Sequence, residues 1–253
     1  MACQAIEMII NNTLSLSPDL KANPWAQIFA EKGRVHIPNF LSEEAASTVF
    51  ECLNSQAAWN LVCQQDGLHQ DLNENIGTVW NEEQIALFTK KLHEQASSQF
   101  QYLYRTIPIY DIYHKQLMPE NFLNEIFKFL NSPAFLDYLR NTLKMPDIEF
   151  ADAQATCYTS GDFLNKHDDS APGKNRLAGY VLNLTPAWNP NWGGALQFYD
   201  SHDNCVDTLV PSYNALNVFR VPQPHAVTYL PPYARGKRLS ITGWLRAGAN
   251  PGA

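Results

Sequence analysis

The run from Gly161 to Asp169, Gly-Asp-Phe-Leu-Asn-Lys-His-Asp-Asp, carries a His-x-Asp pair, His167 and Asp169. On an extended backbone, residues i and i+2 point to one face, so these two side chains can grip one metal ion while Asp168 points away. His-x-Asp alone is a weak signal. It gains weight from His225, which opens the strand-like run His-Ala-Val-Thr-Tyr-Leu and brings a second imidazole from elsewhere in the chain. Two histidines and one carboxylate form a facial triad that suits non-haem Fe(II) and leaves positions open for a cosubstrate and O2. Further on, Arg238, Ser240, Thr242 and Trp244 alternate along one strand and share a face. An arginine on the inner face of a barrel is costly without an anion beside it. A carboxylate gripped by two parallel hydrogen bonds is its natural partner. No acid on this strand provides one, so a ligand carboxylate is the candidate. Asp200, His202 and Asp203 also resemble a metal cluster, but they fall in a predicted hairpin turn and read as a solvated loop.

These residues need strands to hold them. From about residue 148 the sequence breaks into short apolar runs separated by turn residues, with strands predicted over 148–158, 177–185, 195–199, 205–210, 215–219, 225–230 and 238–246. That many evenly spaced strands in a short stretch suggest a sandwich or barrel. The first half reads mainly as helices. Ser42 before Glu43 and Glu44 is a helix start, a capping side chain followed by acids at the positive end of the dipole. Ser132-Pro133 opens another helix, with Phe135, Leu136, Leu139 and Leu143 as its apolar stripe. Ile85, Phe88, Leu92, Ala96, Phe100 and Leu103 predict one long helix over 82–104, with His93 on its solvated side. Arg34–Ile37 predicts a short strand, and the polar stretch of about 60–79 a long loop able to act as a lid. The expected architecture is α+β: one domain over 1–253, with 1–146 as helical support and lid and 147–247 as the β core, the helices packed on one outer face.

Composition narrows the classes. The chain has 253 residues, 45% hydrophobic and 17% charged, too apolar for a disordered chain. Its formal net charge is −7, which argues against a nucleic-acid partner. The acidity belongs to residues 1–146, with 10 basic and 16 acidic side chains against 8 and 9 in the remainder. No apolar run approaches the ~18–20 residues of a membrane span. The N-terminus has no basic residue before its short apolar run, so no signal peptide is expected. Five scattered cysteines with no C-x-x-C pair read as reduced thiols of a cytoplasmic protein.

Taken together, Tyr158 to Asp169, Arg176-Leu-Ala-Gly-Tyr-Val-Leu-Asn-Leu, Trp192-Gly-Gly-Ala-Leu-Gln-Phe, Asn214 to Phe219, His225-Ala-Val and Arg238 to Trp244 resemble the 2-oxoglutarate/Fe(II) dioxygenases. Within them the pattern resembles the prolyl 4-hydroxylase-like branch, including bacterial proteins and the catalytic domain of ribosomal prolyl hydroxylases; the chain is expected to be too short for the second barrel of the latter. The resemblance covers about residues 150–247 and extends faintly to Val35-His-Ile-Pro-Asn-Phe-Leu. It implies a double-stranded β-helix, a jelly-roll or cupin-like core. It implies that His167, Asp169 and His225 ligate Fe(II), and that Arg238 binds the distal carboxylate of 2-oxoglutarate, with Ser240 completing an Arg-x-Ser pattern. It also implies that Tyr158 contacts the cosubstrate, and that Arg176 and Trp244 line the substrate entrance. Asn183 aligns with a position where several family members carry a Tyr that reaches the same carboxylate.

The reaction so implied is hydroxylation of a prolyl residue in a protein, expected to belong to the translation machinery. Cosubstrates 2-oxoglutarate and O2 are consumed, 2-oxoglutarate is decarboxylated to succinate, and ascorbate is a candidate reductant. Two alternatives stay open: hydroxylation of a small molecule or free amino acid, and a catalytically silent β-helix acting as a binding module.

Overall fold

The computed structural model describes residues 14–21, 23–72 and 80–252. The predicted signal-less N-terminal run, Met1–Thr13, and the end of the predicted loop, 73–79, lie outside these residues. Helix starts fall where cap chemistry puts them. The first helix, α1 (Asn23–Lys32), leads into strand β1 (Arg34–Ile37), as predicted. In α2 (Glu43–Asn54) the Ser42 hydroxyl accepts the Ala45 N–H.

The stretch predicted as a loop is instead a β-hairpin, β2 (Asn60–Gln65) and β3 (Leu68–Leu72). Its turn residues are Asp66 and Gly67, both at positive φ (51° and 79°). That is the two-residue turn whose twist matches antiparallel strands, and Asp-Gly is its sequence signal. Gln101 fastens the hairpin: its side chain bonds both the N–H and the C=O of Gln64 and also accepts from Tyr102 N–H. Residues 60–72 are therefore a paired hairpin and not a loop.

The helix predicted over 82–104 ends early. Asn81 and Gln84 form a reciprocal capping box at the start of α3 (Glu82–Ala96), and the chain then turns into β4 (Tyr102–Ile107). Tyr-Leu-Tyr-Arg-Thr-Ile is rich in residues that favour a pleated, half-buried strand, and the helical spacing of Phe100 and Leu103 is coincidental. His93 is not on a solvated face either. Its Nε2 lies 2.9 Å from the Gly161 carbonyl and its ring packs against Phe163 and Tyr229. After α4 (Ile109–His114) and α5 (Leu123–Leu130), α6 (Pro133–Leu143) begins with Pro at its first position and Ser132 as cap, and buries the predicted stripe.

The remaining strands are β5 (Phe150–Ala151), β6 (Gln154–Tyr158), β7 (Phe163–His167), β8 (Arg176–Asn183), β9 (Leu196–Tyr199), β10 (Cys205–Leu209), β11 (Ala215–Arg220), β12 (His225–Val227) and β13 (Arg238–Arg246). The run predicted over 148–158 is broken at Asp152, whose Oδ1 accepts the Trp244 N–H. The strand β7 was not among those predicted. All pairing is antiparallel, in the order β1-β11-β8-β13-β6-β4-β7-β12-β9-β10. The sheet rolls up until its two ends meet, where Arg34 Nε on β1 reaches Asp207 Oδ2 on β10 at 2.8 Å.

This rolled sheet has two faces and hence two cores. Outside, β8, β13 and β6 bury Leu182, Ile241 and Ala155 against apolar residues of α2, α5 and α6. Inside, Tyr158, Val181, Phe198, Phe219 and Val227 converge on the roll axis. The helix α3 packs apart from the others, its Leu92 against Cys63, Leu103 and Phe163. None of the described helices is long and apolar enough to cross a membrane.

Candidate active site

The inner core is incomplete at one end, where a cavity of about 400 Å³ opens. His167 is the last residue of β7, and β12 pairs with β7 so that His225 stands directly opposite it. The backbone then leaves the strand. Asp169 has φ 63°, a left-handed conformation that swings its carboxylate back toward both imidazoles. A turn, and not the continued strand of the same-face prediction, thus brings Asp169 beside both imidazoles. Asp168 is exposed, and its carboxylate accepts the Ser170 N–H.

The donor atoms of the three residues lie within 4.8 Å of one another. His167 Nε2 is 3.4 Å from Asp169 Oδ1, and His225 Nε2 is 3.5 Å from Asp169 Oδ2. Each imidazole places Nδ1 on a backbone carbonyl, His167 on Asn165 at 2.9 Å and His225 on Gln223 at 2.7 Å. A carbonyl only accepts, so Nδ1 carries the proton and Nε2 presents its lone pair to the centre. Burial, with His167 beside it, pushes His225 down to about 4 against the pull of Asp169. Burial alone would raise Asp169, but the His167 and His225 imidazoles beside it hold its carboxyl below the usual range. Two imidazoles and a carboxylate, oriented by their outer contacts, fit a divalent transition metal with an open face.

Arg238 lies on the wall of the same cavity, 2% exposed. Its Nε has no hydrogen-bond partner, and no acid faces the guanidinium among the described residues. Its guanidinium carbon lies 5.1 Å from the centre of the Tyr158 ring. Burial lowers its pKa, opposed by the neighbouring Tyr158 phenol. A buried, unpaired cation of this kind is a vacancy for an anion. The Gly193-Gly194 pair makes room for it: both have positive φ (69° and 68°), and a Cβ on Gly194 would lie 3.1 Å from Arg238 Cδ.

Tyr158 lines the cavity and stacks on Tyr104 at 4.9 Å, and burial drives its phenol well above the usual range. Arg176 and Trp244 stand together at the wall, the guanidinium 3.5 Å over the indole. Arg176 Nη1 also donates to the Asp169 carbonyl at 3.0 Å, which ties this pair to the metal turn. Asn183 and Ser240 are brought to each other, not to the cavity surface. They are paired in register, Asn183 donates to the Ala215 carbonyl, and neither lines the cavity.

Several wall residues escaped the sequence reading. Gln154 and Thr156 face inward with Tyr158 and were legible from its strand alternation. Phe100, Tyr102 and Tyr104 line the opposite wall, with His69 from the hairpin, whose Nδ1 lies 2.6 Å from the Tyr102 hydroxyl. Burial pushes Tyr104 up to about 12, partly offset by a hydrogen bond with Gln154. No local signal placed β4 and the hairpin at the site.

Comparison with known proteins agrees with this geometry. Residues 153–246 match the 2OG-Fe(II) oxygenase superfamily. The chain is similar to prolyl 3-hydroxylase OGFOD1 of Mus musculus, 29% identical over 161 residues, covering 52% of this chain and 29% of that one. Its Xenopus laevis counterpart is 32% identical over 117 residues, covering 44% and 22%. The chain thus spans less than a third of the length of these relatives. Among solved structures, a prolyl hydroxylase from Trichoplax adhaerens, in complex with a hypoxia inducible factor oxygen degradation domain peptide fragment, superposes with a TM-score of 0.56 at 18% identity, covering 97% of this chain and 92% of that one. That likeness is one of fold, a double-stranded β-helix.

Proposed function

We propose that this chain, whose residues 153–246 belong to the 2OG-Fe(II) oxygenase superfamily, hydroxylates a prolyl residue in a protein. The carrying observation is the buried, unpaired Arg238 in one cavity with His167, Asp169 and His225. Fe(II), which His167, Asp169 and His225 would hold, would supply with 2-oxoglutarate and O2 the oxidising power for hydroxylating a C–H bond, with succinate and CO2 as the cosubstrate's products.

The chain's own residues do the rest. His167 and His225 offer Nε2 lone pairs fixed by their Nδ1 contacts, and Asp169 offers the carboxylate. Arg238 binds and orients the distal carboxylate, with the Tyr158 face beneath its guanidinium. The inner core of Leu196, Phe219 and Val227 excludes water from the reacting end. At the mouth, the Trp244 indole under Arg176 offers an apolar face for a pyrrolidine ring, and Arg176 offers a donor for a peptide carbonyl. The prolyl hydroxylase relatives support the choice of residue. The partner in this reading is a protein of the translation machinery, and the acidity of residues 1–146 favours approach of a basic one.

The test offers Fe(II), 2-oxoglutarate and O2 with proline-containing peptides from ribosomal proteins and elongation factors, alongside free proline and other amino acids. Succinate in step with one added oxygen on a peptide proline is the expected result. Succinate with free proline, and none with any peptide or folded protein, would overturn the protein-substrate reading.

A further inference from the structure

Of the five residue pairs between strands β6 and β13, three share one face: Tyr158 with Arg238, Thr156 with Ser240, and Gln154 with Thr242. Strand alternation turns all six side chains inward, yet only five line the cavity, and the exception is Ser240. Thr156 Oγ1 and Ser240 Oγ are 2.9 Å apart and both buried. Among the described residues the Ser240 hydroxyl has no other hydrogen bond, and the only other one of the Thr156 hydroxyl is long, 3.4 Å, to the Ser240 carbonyl. Each hydroxyl has one proton to give. If Ser240 donates to Thr156, the Thr156 proton is free, and Thr156 is the member of the pair that borders open volume.

We propose that Thr156 donates a hydrogen bond to the distal carboxylate of 2-oxoglutarate beside Arg238, and that Ser240 is a positioning residue acting through Thr156. This rests on reading the cavity as the 2-oxoglutarate site, and it moves the direct contact from Ser240, where the Arg-x-Ser pattern puts it, to a residue two before Tyr158. The next rung holds Arg238, so Thr156 is its diagonal neighbour across the strand pair, a spacing of roughly 7–8 Å that side chains span. Threonine is stiff at χ1, and the Ser240 contact fixes which way its hydroxyl points. The arrangement is a short relay in which Ser240 donates to Thr156 and Thr156 donates to the ligand carboxylate, each bond polarising the next.

The test is calorimetric titration of 2-oxoglutarate into Mn(II)-loaded protein without O2, where no turnover occurs. Thr156→Val keeps the shape and removes the donor, and should weaken binding about tenfold, the worth of one hydrogen bond to a charged group. Thr156→Ser should recover affinity to within about threefold. Ser240→Ala should weaken binding less than Thr156→Val, and should add nothing in the Thr156→Val background, because its effect passes through Thr156. With 2-oxobutyrate, which keeps the keto acid and lacks the distal carboxylate, all variants should bind like the wild type, which also shows that they are folded. Wild-type affinity for 2-oxoglutarate in Thr156→Val, or a Ser240→Ala effect that adds in the double variant, overturns the assignment. A wild-type protein that does not bind 2-oxoglutarate at all overturns the reading of the cavity itself.

Discussion

Replacing Arg238 by Met should push stability and ligand binding in opposite directions. Arg238 is 2% exposed and its guanidinium has no acid partner among the described residues. An unpaired buried ion carries a desolvation cost of several kcal/mol even after relaxation, and water in the adjoining 400 Å³ cavity relieves part of it. Methionine has a similar stem and no charge, so the ligand-free variant should gain about 1–2 kcal/mol. For a chain of this size that is roughly 2–8 °C in Tm. The variant also loses a charge-assisted, two-point bond worth about 1.5–3 kcal/mol, so its affinity for 2-oxoglutarate should fall roughly 10- to 150-fold. At a ligand concentration of about 100 times the wild-type Kd, binding stabilises the wild type by ~2.7 kcal/mol, and a hundredfold weaker variant by only ~0.4 kcal/mol. Scanning calorimetry of Mn(II)-loaded protein with and without 2-oxoglutarate reads both effects. Arg238→Lys should recover only part of the ligand shift, since an ammonium cannot make the planar fork. A ligand-free Met variant that melts below the wild type, or an undiminished ligand shift, would refute the view of Arg238 as an anion vacancy.

Two further outcomes follow from the geometry. Asp169→Ala should weaken Mn(II) binding at least ~100-fold in an electron paramagnetic resonance titration, because it removes the carboxylate between the imidazoles, while Asp168→Ala should stay within about threefold; equal behaviour of the two would remove Asp169 from the ligand set. Burial pushes the Asp162 carboxyl up to about 6 despite Arg105 and Thr159. The folded state then holds this proton more tightly than the unfolded chain, so the contribution favours folding below about pH 4 and is lost as pH rises through about 6. Urea unfolding from pH 4 to 7 should show the wild type losing ~2–3 kcal/mol relative to Asp162→Asn, and parallel curves would refute it.

What the sequence determined by itself was chemistry carried by near neighbours. The Ser42 and Ser132-Pro133 helix starts were legible because a cap is made within three residues. The inward face of β13 was legible because strand alternation has a period of two, and it exposed Arg238 as an arginine without an acid. The His167-x-Asp169 pair could be named because its members are near neighbours, although a turn and not strand alternation brings them together. The hairpin at Asp66-Gly67 was also written locally, but the polar run Gln64-Gln65 and His69-Gln70 hid the strands around it. Tertiary structure alone decided the rest, because it depends on register between strands far apart in the chain. It set His225 opposite His167 across β12 and β7. It inserted β4, from the half expected to be helical, between β6 and β7, and so made Tyr104 a wall of the site. It gave Asp169 its left-handed turn, and it drew Ser240 behind Thr156. No residue's type or neighbours encode such register. It is set by which inward faces fill the roll and which buried polar atoms find partners, a sum over the whole molecule.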